Sequence, residues 1–193
     1  MECPYKLIVF DLDGTLAISG NYLSDKEIKM LDEFNSKQIN ENKKLFNYKT
    51  YKNVKETLEI LRKFTKLALI SNGHYPRQKN KLILAGIYDY FDLIYISQEI
   101  AIKKFGDKFT PEQLAQIEKP SIYMFKQMNK ETKTLPEECI YIGNIDNDQI
   151  VAAEIGWDFI RIKDEDPRAI RKLTWEKTVH QDNFKEILKY LLK

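Results

Sequence analysis

Cysteine is nearly absent from this chain: Cys3 and Cys139 are the two in 193 residues. Two cysteines cannot build a disulfide framework, and a chain of this length needs none. Cys139 opens an apolar run and reads as a small core residue. Long hydrophobic runs are also missing. None approaches the ~20 residues that a membrane span requires. The N-terminus lacks the charged, apolar and small-residue succession of a secretory leader. An excess of either charge is lacking too. Lysine plus arginine number 31 against 29 aspartates plus glutamates, a formal balance of +2. Such a balance gives no pull toward nucleic acid or a membrane surface. The pairs Lys43-Lys44 and Lys103-Lys104 read as solvated faces. There is no internal repeat and no low-complexity tract. These absences lead to the expectation of a cytoplasmic protein with no nucleic-acid or membrane partner.

What is present is an ordinary globular mixture, 43% hydrophobic and 31% charged, enough for one α/β domain with a small insertion. Short apolar runs alternate with amphipathic stretches. The candidate strands are KLIVF (6–10), KLALI (66–70), DLIYI (92–96), CIYI (139–142) and DFIRI (158–162). They are continuous rather than alternating, as strands covered on both faces are. Helical patterns between them make βαβ units and a Rossmann-like parallel sheet. Ser24 with Glu27 forms a capping box ahead of Ile28, Leu31 and Phe34. Asn53 with Glu56 opens a second helix bearing Val54, Leu58, Leu61 and Phe64. Thr110-Pro111 and Asp166-Pro167 each set a capping side chain before a proline suited to the first turn. Asp182 is placed to cap a last helix with Phe184, Ile187, Leu188 and Leu191 on its apolar face.

Two segments exceed a minimal βαβ rhythm. Residues 17–50 carry one long helix and a polar stretch, QINENKK. Residues 101–117, with Lys103, Lys104 and Lys108, read as a solvated surface loop. Trp157 and Trp175 read as packing residues.

The first strand runs into an unusual turn, FDLDGTL (10–16). Ligands bind at the carboxyl ends of strands in an open parallel sheet. Asp11 and Asp13 stand past such an end, on one side of an extended backbone with Leu12 on the other. Two acids beside a buried strand are costly without a partner. A calcium-binding EF-hand loop is excluded by spacing: with Gly14 sixth, Val9 would stand first and Gly20 last, neither with a side-chain oxygen.

This string resembles the first signature of the haloacid dehalogenase-like hydrolases, phosphatase branch, and three further strings follow in the family's order. ALISNG (68–73) is similar to the second, with Ser71 as its hydroxyl and Asn72 beside it. EKPSIYMF (118–125) is similar to the third, with Lys119 as the family lysine. YIGNIDNDQIVAAEIGW (141–157) is similar to the fourth. One position departs from the pattern: Asn144 stands where the family's first acid is expected, while Asp148 matches the second. The resemblance implies a core of residues 1–16 and 51–193 with a reduced helical cap at 17–50, a helix or a helical pair. The other reading of that segment is an extra helix packed on the core.

The chemistry implied is phosphoryl transfer. A phosphate dianion and a carboxylate nucleophile repel by about 4 kcal/mol per charge pair at ~4 Å and an effective dielectric of ~20. That amounts to roughly three orders of magnitude in rate. The resemblance implies Mg2+ held by Asp11, Asp13 through its carbonyl, Asn144 and Asp148, with Lys119 as a second cation. Leu12, Thr15, Ser71, Asn72 and Lys119 would hold phosphate, and Asp11, Asp13 and Lys119 would be catalytic. Asp11 is then the nucleophile that becomes an aspartyl phosphate, and Asp13 the proton shuttle. His74, Tyr75 and Arg77 stand near the mouth. The expected substrate is a small phosphorylated metabolite. A phosphotransferase or mutase uses the same residues, and Asn144 leaves open a weakly catalytic binder. Asp13 argues against the metal-free dehalogenases. A phosphorylatable receiver would need its acid after the third strand, where Ser97-Gln98 stand with Glu99 the nearest acid.

Overall fold

The computed structural model describes residues 2–18, 23–163 and 178–193. Six parallel strands form one sheet: β1 (Leu7–Phe10), β2 (Lys66–Ser71), β3 (Leu93–Ile96), β4 (Cys139–Gly143), β5 (Asp158–Lys163) and β6 (Thr178–His180), in the order β3-β2-β1-β4-β5-β6. Five of these match the apolar runs read from the sequence. The sixth, a three-residue edge, has no such run to announce it.

Successive residues of each strand face opposite sides, and both sides are covered. Ile8 and Phe10 join Leu67, Leu69, Ile140 and Ile142 in one buried cluster. Leu7 and Val9 join Ala68, Ile70, Cys139 and Tyr141 in the other. The first is covered by α1 (Asp25–Glu33), α2 (Ser36–Glu41), α3 (Val54–Leu61), α4 (Tyr75–Ala85) and the C-terminal α9 (Leu188–Leu191). The second is covered by α5 (Ser97–Phe105), α6 (Pro111–Ala115), α7 (Tyr123–Thr132) and α8 (Asp146–Ile155). This is the Rossmann-like architecture expected. Among the described residues no helix is long and apolar enough to cross a membrane.

The local signals hold where backbone and side chain agree. Ser24 and Glu27 form their capping box, as do Thr110 and Gln113 at the start of α6. Asn53 does not cap α3. It sits in the left-handed region at φ +65° with no capping hydrogen bond, and Glu56 pairs with Lys185 instead, at 2.6 Å. Helix α3 ends at Leu61, so Phe64 leaves the stripe and is partly exposed.

Two further readings are corrected. Among the described residues, 17–50 hold α1, α2 and a 3-10 turn (Lys43–Leu45) rather than one long helix, because Asn35 and Gln38 form a second capping box that restarts the chain as α2. Residues 101–117 are largely helical rather than a loop. Lys103 pairs with Glu99 and Lys104 lies 3.9 Å from the Tyr123 ring centroid. The Asp166-Pro167 cap and Trp175 lie outside the described residues, as does the side chain of Asp182. The last segment is mostly 3-10 (Gln181–Ile187) before α9.

Candidate active site

The site lies where β1, β2 and β4 end, beside the point at which strand order reverses. Asp11 N donates to Ile142 O at 2.9 Å, so the ladder holds Asp11 one residue past β1. The chain then turns: Leu12 O accepts from Leu16 N (3.0 Å) and Ala17 N (3.2 Å). Gly14, at φ +80°, lies against Asn144. A Cβ there would meet Asn144 Nδ2 at 2.2 Å, so only glycine fits.

Lys119, buried and arriving from the loop before α7, joins three groups. Its Nζ lies 2.6 Å from Asp11 Oδ1, 2.8 Å from Asp148 Oδ1 and 2.8 Å from the Tyr141 hydroxyl. Tyr141 in turn donates to Asp148 Oδ1 at 3.0 Å. Asp148 Oδ2 accepts from the backbone of Asn144 (3.0 Å) and Ile145 (3.2 Å). Both Asp148 oxygens are therefore engaged within the protein. Asn72 fixes the Lys119 loop from the other side: its amide accepts from Lys119 N at 2.9 Å and donates to Lys119 O at 3.1 Å.

Burial pushes the Asp11 carboxyl up to about 7, with Lys119 opposing the rise and the Asp148 and Asp13 charges adding to it. Burial works against the Lys119 charge, but Asp11 and Asp148 outweigh it and hold the ammonium above the usual lysine range. Lys119 is thus a fixed cation. Tyr141 is held well above the ordinary phenol range by burial, then by the charges of Asp148 and Asp11, and so remains an O–H donor.

Thr15 Oγ1 lies 3.4 Å from Asp11 Oδ2 and 3.2 Å from Asn144 Oδ1. Two oxygens from different strands thus face one point. Among the described residues no cluster of three His, Cys, Asp or Glu side chains is formed. The side-chain donors available there are one carboxylate and one amide oxygen, oxygen ligands of the kind magnesium takes.

Asp13 has its own surroundings. Tyr48, buried and contributed by the 17–50 segment, donates to Oδ1 at 2.9 Å. Lys81 from α4 lies 2.6 Å from Oδ2. Gln78 Nε2 reaches Oδ2 at 3.3 Å and Ser71 Oγ at 2.6 Å. Of the mouth residues, His74 and Arg77 both bond Asp32 of α1, His74 Nδ1 at 2.9 Å and Arg77 at 2.9 and 2.6 Å.

The structure therefore brings Asp11, Thr15, Lys119, Asn144 and Asp148 into one group, with Asp13, Ser71 and Gln78 in a second group beside it. The side chain of Asn72 serves the Lys119 loop, and its main-chain carbonyl accepts from Gln78 Nε2 at 3.1 Å. Sequence reasoning missed Tyr48, Gln78, Lys81 and Tyr141. A signal existed for two of them: His74, Gln78 and Lys81 recur at i, i+4 and i+7, a polar row on a helix that should show an apolar face there.

Comparisons with known proteins bear on the family and the fold. The sequence profile of the haloacid dehalogenase-like hydrolases matches residues 17–162, and the chain belongs to that family. A glyceraldehyde 3-phosphate phosphatase of Methanopyrus kandleri is 31% identical over 117 residues, 60% of this chain and 44% of that protein. The protein of that name from Methanothermobacter thermautotrophicus is 29% identical over 96 residues, 50% of this chain and 36% of that one. The matched stretch thus spans less than half of these curated relatives. Among solved structures, YfnB from Bacillus subtilis bound to magnesium superposes with a TM-score of 0.60 at 14% identity, covering 98% of this chain and 99% of that one. At that identity the likeness speaks for the fold alone.

Proposed function

We propose that the chain is a magnesium-dependent phosphatase that cleaves a small phosphomonoester through an aspartyl phosphate on Asp11. The observation that carries this reading is Lys119 Nζ bridging Asp11 and Asp148 at 2.6 and 2.8 Å where the strands end. Asp11 attacks phosphorus in line, and the phosphorus–ester oxygen bond breaks with its electron pair going to the ester oxygen. Asp13 gives that oxygen a proton. Water then attacks the aspartyl phosphate and gives a proton to Asp13, and the phosphorus–Asp11 bond breaks to release phosphate. Lys119, the Ser71 hydroxyl and main-chain N–H groups around Leu12 and Asn72 hold the phosphoryl oxygens, with Thr15 beside them.

Charge decides whether a further cation is needed. With Asp13 carrying the proton it gives up, two carboxylates (Asp11, Asp148) face two ammonium groups (Lys81, Lys119), so nothing is left over to offset the two charges of an arriving phosphate dianion. The oxygens of Asp11 and Asn144 and the carbonyl of Asp13 suit magnesium, and Asp148 braces the loop that carries Asn144. When bound, the ion supplies positive charge that keeps Asp11 ionised and screens it from phosphate. Asn144 makes this donor set one charge poorer than an aspartate would. That substitution favours a second reading, a weakly catalytic phosphate binder.

The 17–50 segment acts in this proposal as a reduced cap. Its two ends are pinned by the Ala17–Thr50 bridge and by Ile18 N to Lys49 O at 3.1 Å. The substrate class is a small phosphorylated metabolite, for which the relatives' name makes glyceraldehyde 3-phosphate the first compound to try. Phosphate release from a panel of phosphomonoesters, with and without magnesium, tests the function. Turnover that needs magnesium supports it, and phosphate binding without turnover in any divalent metal supports the binder.

A further inference from the structure

We propose that Lys81 and Tyr48 are positioning residues that aim Asp13 and leave Oδ1 as the oxygen that handles the leaving group's proton. The proposal rests on the reading of Asp13 as proton shuttle.

Lys81 is a buried residue on α4, its side chain 6% exposed, beside Leu82, Leu84 and Ala85 of the core. A buried ammonium is costly unless paired, and leucine or methionine would fill that space more cheaply. Its partner is Asp13 Oδ2 at 2.6 Å. Tyr48 lies across from it. The Tyr48 hydroxyl bonds Asp13 Oδ1 at 2.9 Å, and its ring centroid is 5.6 Å from Lys81 Nζ. Lysine, tyrosine and aspartate thus form a closed triangle built from three segments of the chain.

The triangle is asymmetric at the carboxylate. Each oxygen has about two acceptor positions. Oδ2 takes both Lys81 and Gln78, while Oδ1 takes Tyr48 alone among the described residues. The position left open is on Oδ1. Each of the two paired acids therefore has its own buried lysine: Lys119 for Asp11 and Lys81 for Asp13. The second pair depends on the 17–50 segment, which delivers Tyr48. In this arrangement that segment acts on the proton-transfer group itself and not only as a cover.

The test separates aiming from mere support. Lys81→Met and Tyr48→Phe are compared with the parent and with Asp13→Asn in single-turnover release of the leaving group. Two substrates are used: p-nitrophenyl phosphate, whose phenolate departs without a proton, and glyceraldehyde 3-phosphate, whose alkoxide needs one. Lys81→Met and Tyr48→Phe are expected to slow the alkyl ester about 10- to 100-fold, part of the ~10²–10⁴ that general acid–base catalysis supplies. The aryl ester should stay within about threefold, with KM for both little changed. Equal losses on the two substrates would overturn the proposal, since a support role slows both alike. No loss on either also overturns it. Tyr48→Phe removes one oxygen and keeps the ring, so it carries the test if Lys81→Met does not fold. Asp13→Asn guards the premise: if that variant shows no preference for the aryl ester, the shuttle reading of Asp13 fails. If it shows the preference and the other two do not, only the positioning role fails.

Discussion

Asp11 and Asp13 stand two residues apart, yet one meets Lys119 and a fully buried Asp148 while the other meets a tyrosine, a glutamine and a second lysine. Separate surroundings are what let two carboxylates do different work. Asp11→Asn keeps the shape and removes the proposed nucleophile, so phosphate release should fall below detection while the melting temperature stays close to the parent's. A variant with parental turnover refutes the assignment. Asn144 permits the opposite experiment. Asn144→Asp adds one negative charge where Asp11 Oδ2 and the 144 side chain already face each other through Thr15. The magnesium concentration for half-maximal activity should fall by roughly tenfold, the worth of about 1.4 kcal/mol. An unchanged magnesium titration would remove residue 144 from the metal site. At this scale the signature strings pointed to Asp11, Asp13, Ser71, Lys119, Asn144 and Asp148, because Asp11, Asp13 and Asn144 follow strand ends, Ser71 closes β2, and Lys119 and Asp148 stand in strings of their own further along the chain. Tyr48 and Tyr141 were not, because a tyrosine in a loop or a strand resembles filler until the fold turns it toward a carboxylate, and Lys81 showed only through the polar row of α4.

Helix α4 is the element on which the site and the 17–50 segment meet. Its inner row sends Gln78 and Lys81 to Asp13. Its outer row holds α1: Arg77 and the adjoining His74 grip Asp32, and Asn80 Nδ2 donates to Leu31 O at 2.8 Å and Phe34 O at 2.7 Å. Burial pushes the Asp32 carboxyl up, but the bonds from Arg77 and His74 more than offset it and hold it below the ordinary carboxylate value. A group depressed in the folded state stabilises above its unfolded pKa, and that contribution fades as pH falls through the folded value. Asp32→Asn should therefore cost about 1–2 kcal/mol at pH 7. The gap from the parent should close as pH drops below about 4. Urea unfolding at pH 7 and pH 3.5 reads both numbers, and a gap that does not narrow would refute the ion pair as its source. Element boundaries in this region were half legible. The Ser24–Glu27 box marks α1 because the two partners are local. The break before α2 was left open between one helix and a pair because Asn35 with Gln38 stands at the edge of a polar run. Asn53 misled because a left-handed backbone turns the same residue type from cap to turn.

At the scale of the molecule, the alternation of apolar runs announced a parallel sheet, and three of the four signatures, those of Asp11, Ser71 and Asn144, fall at its strand ends. For the 17–50 segment the sequence left two readings, a reduced cap and an extra helix packed on the core. Leu23, Leu31, Ile39, Phe46 and Tyr48 lie in the same buried cluster as Ile8, Phe10, Leu58 and Leu69. A segment that shares a core cannot release its apolar surface alone without exposing its neighbours'. Unfolding should therefore be a single transition in which calorimetric and van't Hoff enthalpies agree. Leu31→Ala, at a fully buried site on α1, should cost about 2–5 kcal/mol and shift that one transition as a whole. Two transitions, with Leu31→Ala moving only the lower, would mean that the segment opens by itself. In that case Tyr48 would leave Asp13 with each opening, and the proton-transfer group would be assembled only in the closed state. A single transition ties Tyr48 to Asp13 for as long as the sheet is folded, so substrate enters a site whose acid is already aimed.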